Sequence, residues 1–196
     1  MAGRVLKINT ELPEEETVKA VSSVLKAGGT AIYPSDTVYG IIADSHNRDA
    51  CETVARIKGY SAIRPFIVLI PDISSALAMI DKADAEKLMH KYWPGPVTLV
   101  FKANTTVPDW LVSSSGTVAL RQPADHLSQA ILKETGRFLI TTSANAKDQP
   151  FPLTISGISS EMINSVNLTL NAGPLSVRKP SKVLDCTGST PVEVRS

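Results

Sequence analysis

Cations, hydroxyls and an amide recur along this chain at the ends of apolar runs, and these are the residue types that hold a polyanion. Tyr33-Pro34-Ser35-Asp36-Thr37-Val38-Tyr39-Gly40 reads as a strand followed by a hydroxyl-rich turn. Lys58 closes a helical stripe, and Arg64-Pro65 leads into the next strand. Ala119-Leu120-Arg121-Gln122-Pro123 places an arginine at a strand's carboxyl end, and Thr141-Thr142-Ser143-Ala144-Asn145 follows another strand directly. Lys179-Pro180-Ser181-Lys182 and Arg195 come last. Ligands of α/β sheets lie outside the carboxyl ends of strands, where such loops converge. The set therefore suits a polyanion such as a triphosphate. Each cluster alone has a plainer reading. Pro34-Ser35-Asp36 reads as a turn bonding its own backbone, Lys58 as a solvated cation at a helix C-terminus and Arg121 as a surface ion pair. Ser143-x-Asn145 reads as a helix cap, and Trp93-Pro94-Gly95-Pro96 as a packing corner. The residues by themselves give an anion-binding α/β domain.

Other chemistries lack their residues. There is no Gly-x-x-x-x-Gly-Lys-Ser/Thr loop, no Gly-x-Gly-x-x-Gly after a strand and no Gly-x-Ser-x-Gly elbow. Cys51 and Cys186 are the only cysteines, which fits two small core residues and no disulfide framework. His46, His90 and His126 have no i, i+4 partners, so no metal site from protein side chains is expected.

The elements that must carry these clusters follow from periodicity. Pro13 and Glu14-Glu15-Glu16 open a helix whose Val18, Val21, Val24 and Leu25 share a face, and Gly28-Gly29 ends it. Ala50, Val54 and Ile57 form a second stripe up to Lys58-Gly59. Further helices are expected over 83–92 and over 126–135, the latter closed by Gly136. Strands are expected over 30–33, 41–44, 66–70, 97–102, 117–120, 138–142, 167–170, 183–186 and 192–194, after a short apolar opener over 5–8. Strands and helices alternate first and strands crowd later, which predicts an α/β sandwich around a mixed sheet.

The chain has 196 residues with 43 % apolar and 20 % charged residues, an ordinary globular composition. At roughly 150 residues per domain, one domain spanning 1–196 is expected. The formal charge of +1 excludes binding nucleic acid by bulk charge, although a local basic groove stays open. Aromatics at 5 % argue against a base-stacking platform. The longest apolar runs, such as Phe66–Ile70, fall far short of the ~20 residues of a membrane span, and Met1-Ala2-Gly3-Arg4 opens no signal region. A soluble, cytoplasmic protein is expected.

Taken in order, the clusters resemble the YrdC-like threonylcarbamoyl-AMP synthases in their short, single-domain form. The likeness rests on Gly28-Gly29-Thr30, Tyr33 to Gly40, Ile57-Lys58-Gly59, Trp93 to Thr98, Val118 to Pro123, Thr142 to Asn145 and Pro180 to Asp185, so it runs over nearly the whole chain. It implies an open twisted mixed sheet flanked by helices, with a concave basic cavity. It implies a reaction of L-threonine, bicarbonate (or CO2) and ATP with Mg²⁺ that yields threonylcarbamoyl-AMP and pyrophosphate. It also implies a separate transferase that carries the group to adenosine 37 of tRNA. By position, Ser35, Arg121, Thr141 and Ser181 would hold the amino acid, with Arg121 on its carboxylate. Lys58 would face the phosphates, and Thr117, Ser143, Asn145 and Arg195 would line the nucleotide. Lys58 and Arg121 would be the catalytic pair, acting by positioning and charge neutralisation.

The sequence departs from the pattern at three places. The family's Lys-x-Arg reads Lys58-Gly59-Tyr60, its serine-threonine pair reads Ser181-Lys182, and no glycine follows Arg195. Lys182, with Arg64 as second choice, is the expected replacement for the missing charge on ATP. Two other readings stay open: a paralogue that binds nucleotide or structured RNA without the synthase reaction, and an RNA-binding module that recognises shape and phosphates.

Overall fold

The computed structural model describes residues 4–82, 85–147, 149–176 and 179–195. A ten-stranded mixed sheet carries the fold. The strands are β1 (Arg4–Lys7), β2 (Thr30–Pro34), β3 (Tyr39–Asp44), β4 (Ile67–Leu69) and β5 (Val97–Lys102), then β6 (Thr117–Arg121), β7 (Leu139–Ser143), β8 (Leu168–Asn171), β9 (Lys182–Asp185) and β10 (Val192–Arg195). Their order is β1-β8-β2-β3-β7-β4-β6-β5-β9-β10, open at both ends. The helices are α1 (Glu15–Lys26), α2 (Arg48–Ile57), α3 (Ile73–Leu77), α4 (Ala85–Tyr92), α5 (His126–Thr135) and α6 (Ser160–Ser165). The expected open α/β arrangement is present. Positions 83 and 84, the expected start of α4, lie outside the described residues.

The helices form where the apolar spacing and the caps agree. Asp49 and Arg56 sit at the dipole-favoured ends of α2, and Asn47 accepts from the Ala50 amide as its N-cap. Asp125 caps α5 in the same way, and Gly136 closes that helix at φ 61°. Helices α3 and α6 are too short to show periodicity in the sequence.

Two apolar layers lie against the sheet. Val21 and Leu25 of α1 and Leu127 and Ile131 of α5 pack with Ile42, Leu69 and Leu139. The opposite layer joins Val54 of α2 and Met89 of α4 to Ile41, Val68, Leu120 and Phe101. Both cysteines are buried free thiols in that second layer, as expected. Burial raises the Cys51 thiol to about 12, so it stays protonated and packs as a small apolar residue.

The first layer does not cover its face completely. Ile42, Thr141, Ile67, Ala119 and Val100 are register partners across five strands, so their side chains form one row on one face. Ile42 lies under the helices, whereas Ile67, Ala119 and Val100 are only half-buried. That open strip of sheet is where the site lies.

Candidate active site

A cavity of about 230 Å³ opens on this strip. Its floor is Gly40 of β3 with Thr141 and Ser143 of β7, and Ser35, Thr37 and Arg121 line it along with Ser181 before β9. Tyr60, Arg64, Pro65 and Phe66, from the segment between α2 and β4, also line it. Pockets for drug-sized ligands run to roughly 300–1,000 Å³, so this cavity is smaller than those.

Gly40 is required by close approach. A Cβ there would lie 3.1 Å from the Thr142 carbonyl oxygen, 3.2 Å from the Tyr33 ring and 3.3 Å from Thr141 Oγ1. Tyr33 lies beneath, fully buried, with its phenol held protonated chiefly by burial.

Arg121 is 3 % exposed, and its guanidinium is ion-paired with Asp36. Its Nε donates to the Gly95 carbonyl at 3.2 Å, while the Gly95 amide donates to Gln122 at 3.0 Å. The Trp93–Pro96 corner is therefore a support for the arginine as well as a packing feature. Trp93 is itself buried and donates from Nε1 to the Val97 carbonyl at 2.7 Å. The surface-pair reading of Arg121 is corrected, because the pair is buried. Asp125 stands close enough for the Asp36 charge to act on it, and burial first, then that charge, raise its pKa.

Ser35 is bound up in its own turn. Its Oγ donates to the Val38 carbonyl at 2.7 Å, accepts from the Thr37 and Val38 amides at 3.1 and 3.2 Å, and lies 2.8 Å from Thr37 Oγ1. The turn reading holds for Ser35, and the same side chain faces the cavity. Ser181 Oγ lies 3.0 Å from Thr98 Oγ1, which fixes it at the mouth.

Lys58 is the C-cap of α2 but is only 6 % exposed, so the solvated-cation reading is corrected. Its Nζ donates to the Ser143 carbonyl at 2.8 Å, to the Asn145 carbonyl and to Asn145 Oδ1 at 3.1 Å. Burial lowers its pKa to about 8. Ser143 Oγ donates to the same Oδ1 at 2.5 Å, and Asn145 Nδ2 donates to the Gln149 carbonyl at 2.6 Å. Ser143-x-Asn145 is thus a cradle for a lysine, and no helix starts there.

The remaining expected residues are more scattered. Thr117 lies two residues from Ala119 and so on the same sheet face, with its Oγ1 2.6 Å from Ser113 Oγ. Lys182, the expected substitute cation, pairs with Glu193 at 2.6 Å on the exposed end of the sheet and does not line the cavity. The Arg195 side chain lies outside the described residues. Sequence reasoning missed Phe151, 43 % exposed on the rim of the cavity. Its signal was an aromatic between two prolines, outside any periodic run.

Residues 23–196 match the Sua5, YciO and YrdC family model, described as "Telomere recombination". The chain belongs to that family. It is 27 % identical over 184 residues to a threonylcarbamoyl-AMP synthase of Pyrococcus abyssi, covering 93 % of this chain and 54 % of that protein. A threonylcarbamoyl-AMP synthase of Bacillus subtilis is 29 % identical, with 91 % and 52 % covered. The chain thus spans about half the length of these relatives. The fold superposes on Pyrococcus abyssi Sua5 complexed with L-threonine at a TM-score of 0.89 and 25 % identity, covering 97 % of this chain and 56 % of that one. It also superposes on Escherichia coli YciO at 0.88 and 26 % identity, covering 99 % and 95 %. Among the described residues, no helix is long and apolar enough to cross a membrane.

Proposed function

We propose that this chain makes threonylcarbamoyl-AMP from L-threonine, bicarbonate or CO2, and ATP, releasing pyrophosphate. The observation that carries the reading is the small cavity that gathers Arg121, Ser35, Thr141 and Ser181 beside the open sheet strip, in a fold like that of a relative complexed with L-threonine. The amino-acid carboxylate would meet the Arg121 fork, with Ser35, Thr141 and Ser181 around the polar remainder. The triphosphate would lie along the open strip toward Ser143 and Thr117, near the Lys58–Asn145 cradle, with Arg195 at the nucleotide.

The chemistry asks for little beyond position and charge. The amine of threonine takes up CO2 and loses a proton to become a carbamate. A carbamate oxygen then attacks the α-phosphorus as its bond to the bridging oxygen breaks, and pyrophosphate leaves with that electron pair. The protein's part is to hold the carbamate in line and to neutralise charge on the phosphates. Mg²⁺ would supply further charge neutralisation and would ride mainly on phosphate oxygens and water. Among the described residues no cluster of three or more His, Cys, Asp or Glu side chains stands ready for an ion. A cytoplasmic enzyme of the nucleotidyltransferase type would then pass its product to a tRNA-modifying transferase acting at position 37.

Tyr60 on the cavity wall favours a second reading, a family member that binds nucleotide without completing the reaction. One assay separates the two: pyrophosphate release from ATP and Mg²⁺, with and without L-threonine and bicarbonate. Release that needs both co-substrates supports the synthase. Binding of ATP with no release under any condition supports the second reading.

A further inference from the structure

Two residues of the cavity wall, Arg121 and Ser181, are held from the same strand. β5 lies between β6, which ends in Arg121, and β9, which Ser181 precedes. The short segment from Gly95 to Thr98 touches both sides. The Gly95 carbonyl accepts from Arg121 Nε at 3.2 Å, and the Pro96 carbonyl accepts from the Lys182 amide at 3.1 Å. Thr98 Oγ1 then lies 3.0 Å from Ser181 Oγ, and this contact is the one the segment makes with a side chain.

Thr98 is fully buried and does not line the cavity, so it reaches a ligand there only through Ser181. Among the described residues its hydroxyl has no other hydrogen-bond partner. Valine has the same branched shape and suits a strand as well, so what threonine adds at this position is the hydroxyl. A buried hydroxyl needs a partner, and here the partner belongs to the cavity wall. Ser181 gains from the bond as well. A serine side chain has three staggered rotamers, and the bond to Thr98 selects one. When Thr98 donates, Ser181 keeps its own O–H for donation elsewhere.

We propose that Thr98 is a positioning residue for the amino-acid substrate. It sets the Ser181 hydroxyl while Gly95 steadies the Arg121 fork, so the segment from Gly95 to Thr98 braces both residues at once. The inference rests on the proposed reading that Arg121 and Ser181 hold the amino acid, and it gives a part in that site to a residue that touches no substrate.

The test is equilibrium binding of L-threonine and, separately, of ATP with Mg²⁺, with thermal melting as the control for folding. Ser181→Ala is expected to weaken L-threonine by about three- to tenfold, the worth of one hydrogen bond. Thr98→Val is expected to weaken L-threonine over the same range, while ATP binding stays as in the parent. Thr98→Ser keeps the hydroxyl and is expected to bind L-threonine as the parent does, although it loses a packed methyl and melts lower. A purely structural role gives the opposite order, with Thr98→Val parent-like and Thr98→Ser the damaged variant. Thr98→Val combined with Ser181→Ala is expected to bind no worse than Ser181→Ala alone, because the one acts through the other. Should Thr98→Val fail to fold, Thr98→Ala against Thr98→Ser carries the comparison: weaker L-threonine binding by the alanine supports the proposal, and equal binding overturns it. Parent-like L-threonine binding by a folded Thr98→Val overturns it too, as does an equal loss of ATP. If Ser181→Ala alone is weakened, the reading of Ser181 stands and the proposal falls; if neither variant is weakened, both fall. If the parent binds L-threonine through this pair but releases no pyrophosphate from ATP, the proposal stands and the synthase reading falls.

Discussion

Asp36, from the turn after β2, closes the Arg121 guanidinium at the carboxyl end of β6, and both side chains are buried. An amino-acid carboxylate that used Arg121 would join or displace a resident carboxylate, so affinity for it depends on how firmly Asp36 holds the fork. Removing one partner of a buried pair strands the other. Asp36→Ala is expected to lower stability by about 3–5 kcal/mol in denaturant unfolding. A loss below about 1 kcal/mol would show that the pair is wet and open.

Lys58 gives a pH signature of two opposite signs. Its pKa is pulled from an ordinary 10.5 to about 8 by burial. Between those values the unfolded chain carries a proton that the folded chain has lost, so stability should rise with pH across that window. Lys58→Met should flatten the rise, read from unfolding midpoints over the same range. Pyrophosphate release should instead fall on the alkaline side with an apparent pKa near 8, because the neutral amine donates fewer bonds to the Ser143–Asn145 cradle. A parent rate that is flat to well above this value would take Lys58 out of the mechanism.

The sequence made single elements legible and left their pairings hidden. The α5 limits and the β5 limits coincide with the expected ones, because apolar spacing, the Asp125 cap and Gly136 all agree there. The residue types of the site were also legible as strand-end polar clusters. What no local pattern encodes is that Lys58 meets Asn145 across 87 positions, or that Arg121 meets Asp36 across 85. Those contacts follow from a strand order that sets β7 between β3 and β4, and that order is a property of the whole sheet. The place of Lys182, outside the cavity lining, has the same origin. It stands next to Ser181 in the chain, but it opens β9 while Ser181 precedes that strand, and its partner Glu193 lies on β10.

Gly40 tests the floor of the cavity. Gly40→Ala would place a methyl 3.1 Å from a strand carbonyl that cannot retreat and 3.3 Å from Thr141 Oγ1, which can. We expect a destabilisation of about 1–3 kcal/mol from overpacking and a selective rise in the KM for threonine as Thr141 turns aside. An unchanged KM for threonine would mean that the Thr141 hydroxyl does not touch that substrate.

Asp125 separates capping from charge. Its carboxylate accepts from the Ser128 amide at 2.8 Å, yet burial and then Asp36 raise its pKa above an ordinary 3.8. The folded chain therefore holds the proton more tightly than the unfolded chain. Stability falls as pH rises through the interval between the two values, and the deficit persists above it. Asp125→Asn keeps the cap oxygen and removes the charge, so at neutral pH it should match or exceed the parent in urea unfolding. That advantage should vanish below pH 3.8, where both side chains are neutral. Asp125→Ala also loses the cap and should fall about 1 kcal/mol below Asp125→Asn at every pH. If Asp125→Asn proves as damaging as Asp125→Ala at neutral pH, the Asp125 charge is serving Arg121, and the repulsion from Asp36 is the smaller effect.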